Sequence, residues 1–112
     1  MAVTLTVDTL EGGTRVVHIA GRLDAEATAD FEAALLPLAE DAGVSRIVLE
    51  GSGLVYVASA GLRVLVKAVK GMTPRKAKLL AAAMPETVVS VLKMTGFLSF
   101  VDLRKTVDEC LA

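Results

Sequence analysis

Apolar and polar residues alternate at the start of the chain. Val3, Leu5 and Val7 are separated by Thr4 and Thr6, a two-residue period that predicts a half-buried strand over 3–7. Glu11-Gly12-Gly13 reads as a turn. TRVVHIAG (14–21) reads as a second strand, so the two predict an antiparallel hairpin. The period then changes. Across DAEATADFEAALLPLAEDAG, the residues Ala27, Phe31, Leu35, Leu38 and Ala42 fall on one helical face. Asp24 is placed to cap the start of that helix and Gly43 to end it. Pro37 lies inside the pattern, where its missing N–H predicts a kink or an early stop.

The rest of the chain repeats the alternation of strand and helix. VSRIVLEG (44–51) is a β-branched run bounded by glycine and reads as a buried strand, with the following SGL as a turn. From Ser59 the helical period returns, with Leu62, Leu65, Val66 and Val69 forming an apolar stripe. GMTPRK reads as a loop, AKLLAAAM (77–84) as another buried strand, and PETVVSVLKMTG as a helix. Pro85 stands at the first position of that helix, Glu86 in its first turn and Gly96 after its end. FLSFVDL (97–103) is the last predicted strand, and TVDE (106–109) is a capping box opening a terminal helix. The order ββαβαβαβα predicts an α/β domain over residues 1–112, with a largely parallel sheet and one antiparallel strand. In such sheets functional groups gather at the carboxyl ends of strands. Two loops stand there: the one carrying Asp24 and the one leading to Ser59.

Composition narrows the function classes. The 112 residues carry a net charge of −1 with 54% hydrophobic residues. Their charges are dispersed, with no basic tract or basic–aromatic interleaving, which argues against direct nucleic-acid binding. Cys110 is the only cysteine. It allows no internal disulfide and fits a reducing compartment. The N-terminus has no secretory pattern, and no apolar run reaches the ~20 residues that span a bilayer. A cytoplasmic location without membrane insertion is the expectation.

The candidate chemistry reduces to one serine. VASAG approximates the nucleophile elbow G-x-S-x-G, but Val57 takes the first glycine's place, and the one histidine, His18, lies upstream in a strand pattern. Without a base Ser59 has no activation, so no catalytic residue is assigned and no enzyme is expected. One His and one Cys far apart give no metal-ligand spacing, and GSG (51–53) lacks the rest of a nucleotide fingerprint, so no metal or cofactor is expected. At the head of a helix, two readings of Ser59 stay open. It is an N-cap, or it is a phosphate acceptor whose new charge would meet the free N–H groups of the first turn. Arg63 and Lys67 follow at four-residue steps on the same face, either solvated or as a contact surface for an acidic partner. Asp24 has the same double character, and periodicity favours the cap.

The blocks GRLDAEATADFEAAL, RIVLEGSGLVYVASAGLRVLV and PETVVSVLKMTGF, followed by SFVDLRKTVDECL, resemble the STAS domain family. Within it they resemble the single-domain bacterial anti-sigma factor antagonists of the SpoIIAA and RsbV type. The resemblance covers nearly the whole chain. It implies a mixed sheet of about five strands with helices packed on one face. It also implies partner switching. The unphosphorylated antagonist binds a GHKL-type anti-sigma factor that is also its serine kinase, phosphorylation ends the binding, and a PP2C-type phosphatase resets it. A monomer or weak dimer is expected.

The family's D-S-[ST]-G-L stretch falls on Ala58, Ser59, Ala60, Gly61 and Leu62, which puts Ser59 at the phosphoacceptor position. Asp24 falls on the acidic residue of G-x-L-D. The partner-binding surface implied is Asp24, Ala58, Ser59, Ala60, Gly61, Arg63 and Lys67. Ala58 departs from the usual acidic residue and Ala60 from the second hydroxyl residue. A STAS subunit of a lipid-transport ABC system, which needs no kinase, is the alternative reading.

Overall fold

The computed structural model describes residues 3–112. The strands are β1 (Thr4–Leu10), β2 (Thr14–Leu23), β3 (Arg46–Val57), β4 (Lys78–Ala82) and β5 (Asp102–Arg104). The helices are α1 (Thr28–Glu40), α2 (Ser59–Met72), α3 (Glu86–Met94) and α4 (Val107–Leu111). The five strands lie side by side in chain order, with β1 antiparallel to β2 and the remaining pairs parallel. The predicted order of elements and the mixed sheet are both present.

Strand periodicity divides the core in two. Val17 and Ile19 on β2, Ile47 and Leu49 on β3, and Leu79 and Ala81 on β4 join the large apolar cluster with Phe31 and Leu35 of α1, Val64 and Leu65 of α2 and Leu92 of α3. The intervening residues Val16, Val48, Leu80 and Ala82 face the other way, where Cys110 of α4 covers them with Val107 and Leu111. Two-residue alternation makes both faces apolar, so the sheet needs helices on both sides. The expectation of helices on a single face therefore holds for α1–α3 and fails for α4.

Several boundaries differ from the sequence reading, each for a local reason. Helix α1 runs through Pro37 to Glu40 without stopping early. Gly43 does not end it in a left-handed turn; Asp41 takes the C-cap position, and its Oδ1 accepts the Gly43 N–H at 2.7 Å. Ala42 is consequently exposed, outside the apolar face. In α2 the buried seam is Gly61, Val64, Leu65, Ala68 and Met72, with Leu62 beside it, while Val66 and Val69 are half-buried. Pro85 precedes α3 as its N-cap in extended conformation, one position earlier than expected. The predicted strand 97–103 is mostly a short 3-10 turn over Phe97–Ser99, and only Asp102–Arg104 pair with β4.

The largest difference is in β3. It does not end at Gly51 but continues to Val57, and SGL is not a turn. Its register with β2 slips twice, from His18↔Glu50 to Ala20↔Gly53 and from Gly21↔Leu54 to Arg22↔Tyr56. Each slip gives β3 one extra residue, which is a β-bulge. The first is held by the Glu50 carboxylate, which accepts the Ser52 N–H at 2.9 Å. Gly53 is obligatory there, because a Cβ would lie 2.8 Å from the Ala20 methyl.

Candidate functional site

The bulges extend β3 so that it ends level with β2. Leu23 and Val57 are register partners, and the Ala58 N–H continues the ladder by donating to the Leu23 carbonyl at 2.9 Å. The residues that follow each strand, Asp24 and Ser59, are therefore brought to one end of the sheet. This is the juxtaposition that the strand order predicts for the carboxyl ends of parallel strands.

Asp24 caps the turn that leads into α1. Its Oδ1 accepts the Ala27 N–H at 3.0 Å, and its carbonyl accepts both the Thr28 N–H and the Thr28 hydroxyl. The cap reading holds for this turn and not for α1 itself, which starts at Thr28 with Ala27 in the cap position and no side-chain cap. Asp24 is half-buried, so part of its carboxylate still faces solvent.

Ser59 differs from the N-cap reading. Ala58, with φ −84° and ψ 163°, takes the cap position, no side chain caps the helix, and Ser59 is the first helical residue. The Ala58 carbonyl accepts the N–H groups of Gly61 and Leu62, while those of Ser59 and Ala60 have no backbone acceptor among the described residues. Ser59 itself is exposed, between half-buried Ala58 and Ala60. Its hydroxyl thus stands in solvent beside two open donors at the positive end of a 14-residue helix.

Gly61 has a steric reason. It is buried, and a Cβ there would approach Leu23 Cδ2 to 3.0 Å and Val57 Cγ1 to 3.4 Å. The missing side chain lets the first turn of α2 rest directly on the ends of β2 and β3. Gly61 shapes the site from below, whereas Arg63 and Lys67 are exposed on its surface. Lys67 is not free: its Nζ meets Glu32 of α1 at 3.0 Å. The pair is largely in solvent, where such bridges contribute only ~0.2–1 kcal/mol.

Three neighbours were not picked out from the sequence. Val55 and Tyr56 are 60% and 42% exposed, two consecutive apolar residues facing solvent. The second bulge causes this, because it breaks the alternation that would bury one of them. Arg22, directly opposite Tyr56 in the ladder, places its guanidinium carbon 4.5 Å from the ring centroid, a cation–π contact worth ~0.5–1 kcal/mol when exposed. The pairing of Arg22 and Tyr56 depends on a register that no local pattern encodes.

His18 lies in a strand, as expected, but has two partners the sequence did not reveal. Its Nε2 is 2.8 Å from Asp8 Oδ2 on β1, and its Nδ1 is 3.0 Å from Glu50 Oε1 on β3. Hydrogen bonds to Glu50 and then Asp8 raise the imidazole above its ordinary 6.5, outweighing partial burial. Burial pushes the Glu50 carboxyl up, but hydrogen bonds from Ser52 and His18 outweigh it and hold it below its usual range. Both ring nitrogens are occupied by carboxylates, and the described residues contain no group of ligands arranged for a metal ion. Cys110 is buried under the sheet, and burial pushes its thiol up, so it is a packing residue. No helix among the described residues is long and apolar enough to cross a membrane.

Comparison with solved structures finds the same architecture. An anti-sigma factor antagonist from Mycobacterium paratuberculosis is similar at a TM-score of 0.86 and 21% identity, with 97% of this chain and 91% of that one covered. The anti-sigma factor antagonist SpoIIAA in its unphosphorylated form matches at 0.78 and 15% identity, covering 96% and 94%. The Bacillus cell fate determinant SpoIIAA in the phosphorylated form matches at 0.76 and 14%, covering 96% of both chains. No curated protein matches by sequence. The sequence model of the STAS domain matches residues 6–110, and the chain belongs to the STAS domain family.

Proposed function

We propose that this STAS domain is an anti-sigma factor antagonist that works by partner switching. In its unmodified state it binds a GHKL-type anti-sigma factor that is also a serine kinase, acting in the cytoplasm. The binding surface is Asp24, Ala58, Ser59, Ala60, Arg63 and Lys67, shaped by Gly61. In the phosphorylation step Ser59 Oγ attacks the γ-phosphorus of ATP, the bond to ADP breaks and the hydroxyl proton is released. A PP2C-type phosphatase returns the hydroxyl by hydrolysis. The protein acts by binding and catalyses nothing itself.

One observation carries this reading: Ser59 is exposed at the first residue of α2, with no capping duty. A phosphate there would face the open N–H groups of Ser59 and Ala60, so the fold accommodates it. It would also add about −1.5 to −2 charges to the docking surface, which is how binding ends. That SpoIIAA has been solved in both forms makes phosphorylation a property of a protein with this fold.

The test is intact-mass spectrometry of the protein from its own cells, with fragmentation to locate phosphate, alongside affinity for the cognate kinase. Phosphate on Ser59 and at least tenfold weaker kinase binding by Ser59→Glu are expected. Unchanged affinity in Ser59→Glu defeats the proposal. The alternative is a constitutive adaptor in a lipid-transport ABC system. It is favoured by Ala58, which leaves no carboxylate before the serine, and it predicts no phosphate under any growth condition.

A further inference from the structure

A second opening shares no residue with the surface around Ser59. A cleft of about 510 Å3 lies where β4 and β5 end, between α3 and α4. That volume is in the range of small-molecule sites, roughly 300–1,000 Å3. Its apolar lining is Ala83, Met84, Val89 and Leu103. Its charged lining is Arg104, Lys105 and Glu109.

The backbone builds this cleft at a cost. Ala83 has φ +57°, in the left-handed region that a residue with a Cβ seldom occupies. Such strain collects at ligand sites and persists only where the surroundings impose it. Here it turns the chain sharply out of β4, and the Ala83 N–H then reaches the Arg104 carbonyl at 3.4 Å. The ends of β4 and β5 are thereby joined, and Met84 and Arg104 line one opening. The carboxyl ends of parallel strands are where open α/β sheets receive ligands.

The charges select the ligand. The Arg104 guanidinium donates one bond, to the Leu103 carbonyl at 3.2 Å, and is otherwise free among the described residues. The ion pairs of those residues are His18 with Asp8 and Glu50, and Lys67 with Glu32, so Arg104, Lys105 and Glu109 carry charges without partners in that set. Two cations against one carboxylate leave a single net positive charge. A guanidinium fork matches a carboxylate in bidentate geometry, while Glu109 opposes polyanions such as nucleotide phosphates. We propose that this cleft binds a small monoanion with an apolar body, of the class of short-chain or aromatic carboxylates. The carboxylate pairs with Arg104 and Lys105, and the body lies on Met84, Val89 and Leu103.

The test is a titration of the isotope-labelled protein with octanoate, followed by amide chemical shifts. Saturable shifts centred on Ala83, Met84, Arg104 and Lys105 are expected, with octanol and inorganic phosphate each at least tenfold weaker. The double variant R104E/K105E changes only exposed side chains, so it keeps the wild-type spectrum elsewhere. It binds octanoate roughly tenfold or more weakly, the scale of lost charge-assisted bonds. Equal binding of octanol removes the charge recognition, and equal binding of phosphate removes the apolar part. Shifts centred elsewhere, or none below several millimolar, overturn the proposal.

Discussion

The Ala58 amide donates to the Leu23 carbonyl at 2.9 Å, one bond beyond the last register pair of β2 and β3. That bond fixes where the chain leaves both strands. One residue later on each side come Asp24 and Ser59. A carboxylate that caps the turn before one helix and a hydroxyl that opens another are thus held by the sheet, not by contact between the helices. The bulges of β3 are what make this possible, since without the two extra residues β3 would reach the sheet end two positions earlier in sequence, at residue 55.

Asp24 holds the turn before α1 and belongs to the proposed docking surface, and two substitutions separate the roles. Asp24→Ala removes the acceptor of the Ala27 N–H and is expected to cost about 1 kcal/mol, or ~4–8 °C in Tm for a domain of this size. Asp24→Asn keeps an oxygen in that place and is expected to unfold within about 2 °C of wild type. Thermal unfolding by circular dichroism measures both. An alanine variant as stable as wild type would show that the cap contributes nothing. If partner binding needs the charge, the asparagine variant loses affinity while keeping its stability.

The Gly53–Ala20 contact gives a direct test of the bulge. Gly53→Ala forces a methyl to 2.8 Å from another methyl, and overpacking of this kind costs ~1–3 kcal/mol. Ala20→Gly removes the obstruction, at an expected cost of ~0.5–1 kcal/mol for glycine in a strand. The double variant is then expected to be more stable than Gly53→Ala alone. Urea midpoints of the four proteins complete the cycle. Strict additivity would mean that the two residues do not meet.

What the chain disclosed beforehand was set by how local each signal is. Alternation at 3–7 and 14–21, the spacing of Phe31 and Leu35, and the TVDE box are all read within a few residues. One half of the box is present among the described residues: Thr106 Oγ1 accepts the Glu109 N–H at 3.1 Å. The end of β3 failed because Ser52 and Gly53, which usually break a strand, here bulge one, and only the partner strand decides between the two. α4 failed as a one-face helix because the apolar residues of both faces interleave in VSRIVLEG without showing which helix covers which. Ser59 was placed correctly at the head of α2 and wrongly as its cap, a difference of one residue that only backbone angles resolve. Arg22 with Tyr56, and Asp8 with His18 and Glu50, join residues far apart in sequence, so neither had a local signature.

Arg75 is a further residue whose role had no local sign, because its partners are backbone carbonyls. From the loop after α2 its guanidinium donates to the carbonyls of Gly71, Asp41 and Val44 at 2.9 Å each, and to that of Ala39. It satisfies the end of α1 and ties it to the end of α2, where carbonyl groups lack helical partners and favour a cation. Arg75→Ala is expected to cost about 2–3 kcal/mol. Arg75→Lys is expected to recover less than half, since an ammonium cannot span four acceptors as a planar fork does. Chemical denaturation of the three proteins checks this. A lysine variant equal to wild type would mean that charge alone suffices.

His18 makes the stability depend on pH. Its two nitrogens both face carboxylate oxygens, which only accept, so the doubly protonated ring alone satisfies both contacts. With its folded value raised, the ring binds a proton more tightly in the native state than in the unfolded chain. Its contribution is therefore fully present below about pH 6.5 and is lost as pH rises through the raised value. Glu50, held below its ordinary 4.5, contributes above that pH and loses its contribution as pH falls through the lowered value. The advantage of wild type over His18→Gln is thus expected to be largest between about pH 5 and 6.5 and to shrink toward pH 8.5. The imidazole is 38% exposed, so solvent screening limits the effect to less than about 1 kcal/mol. Urea midpoints for both proteins at pH 6.0 and 8.5 measure the difference. An advantage that grows with pH would show that the neutral ring is the form that the fold holds, and a constant one that the fold prefers neither form.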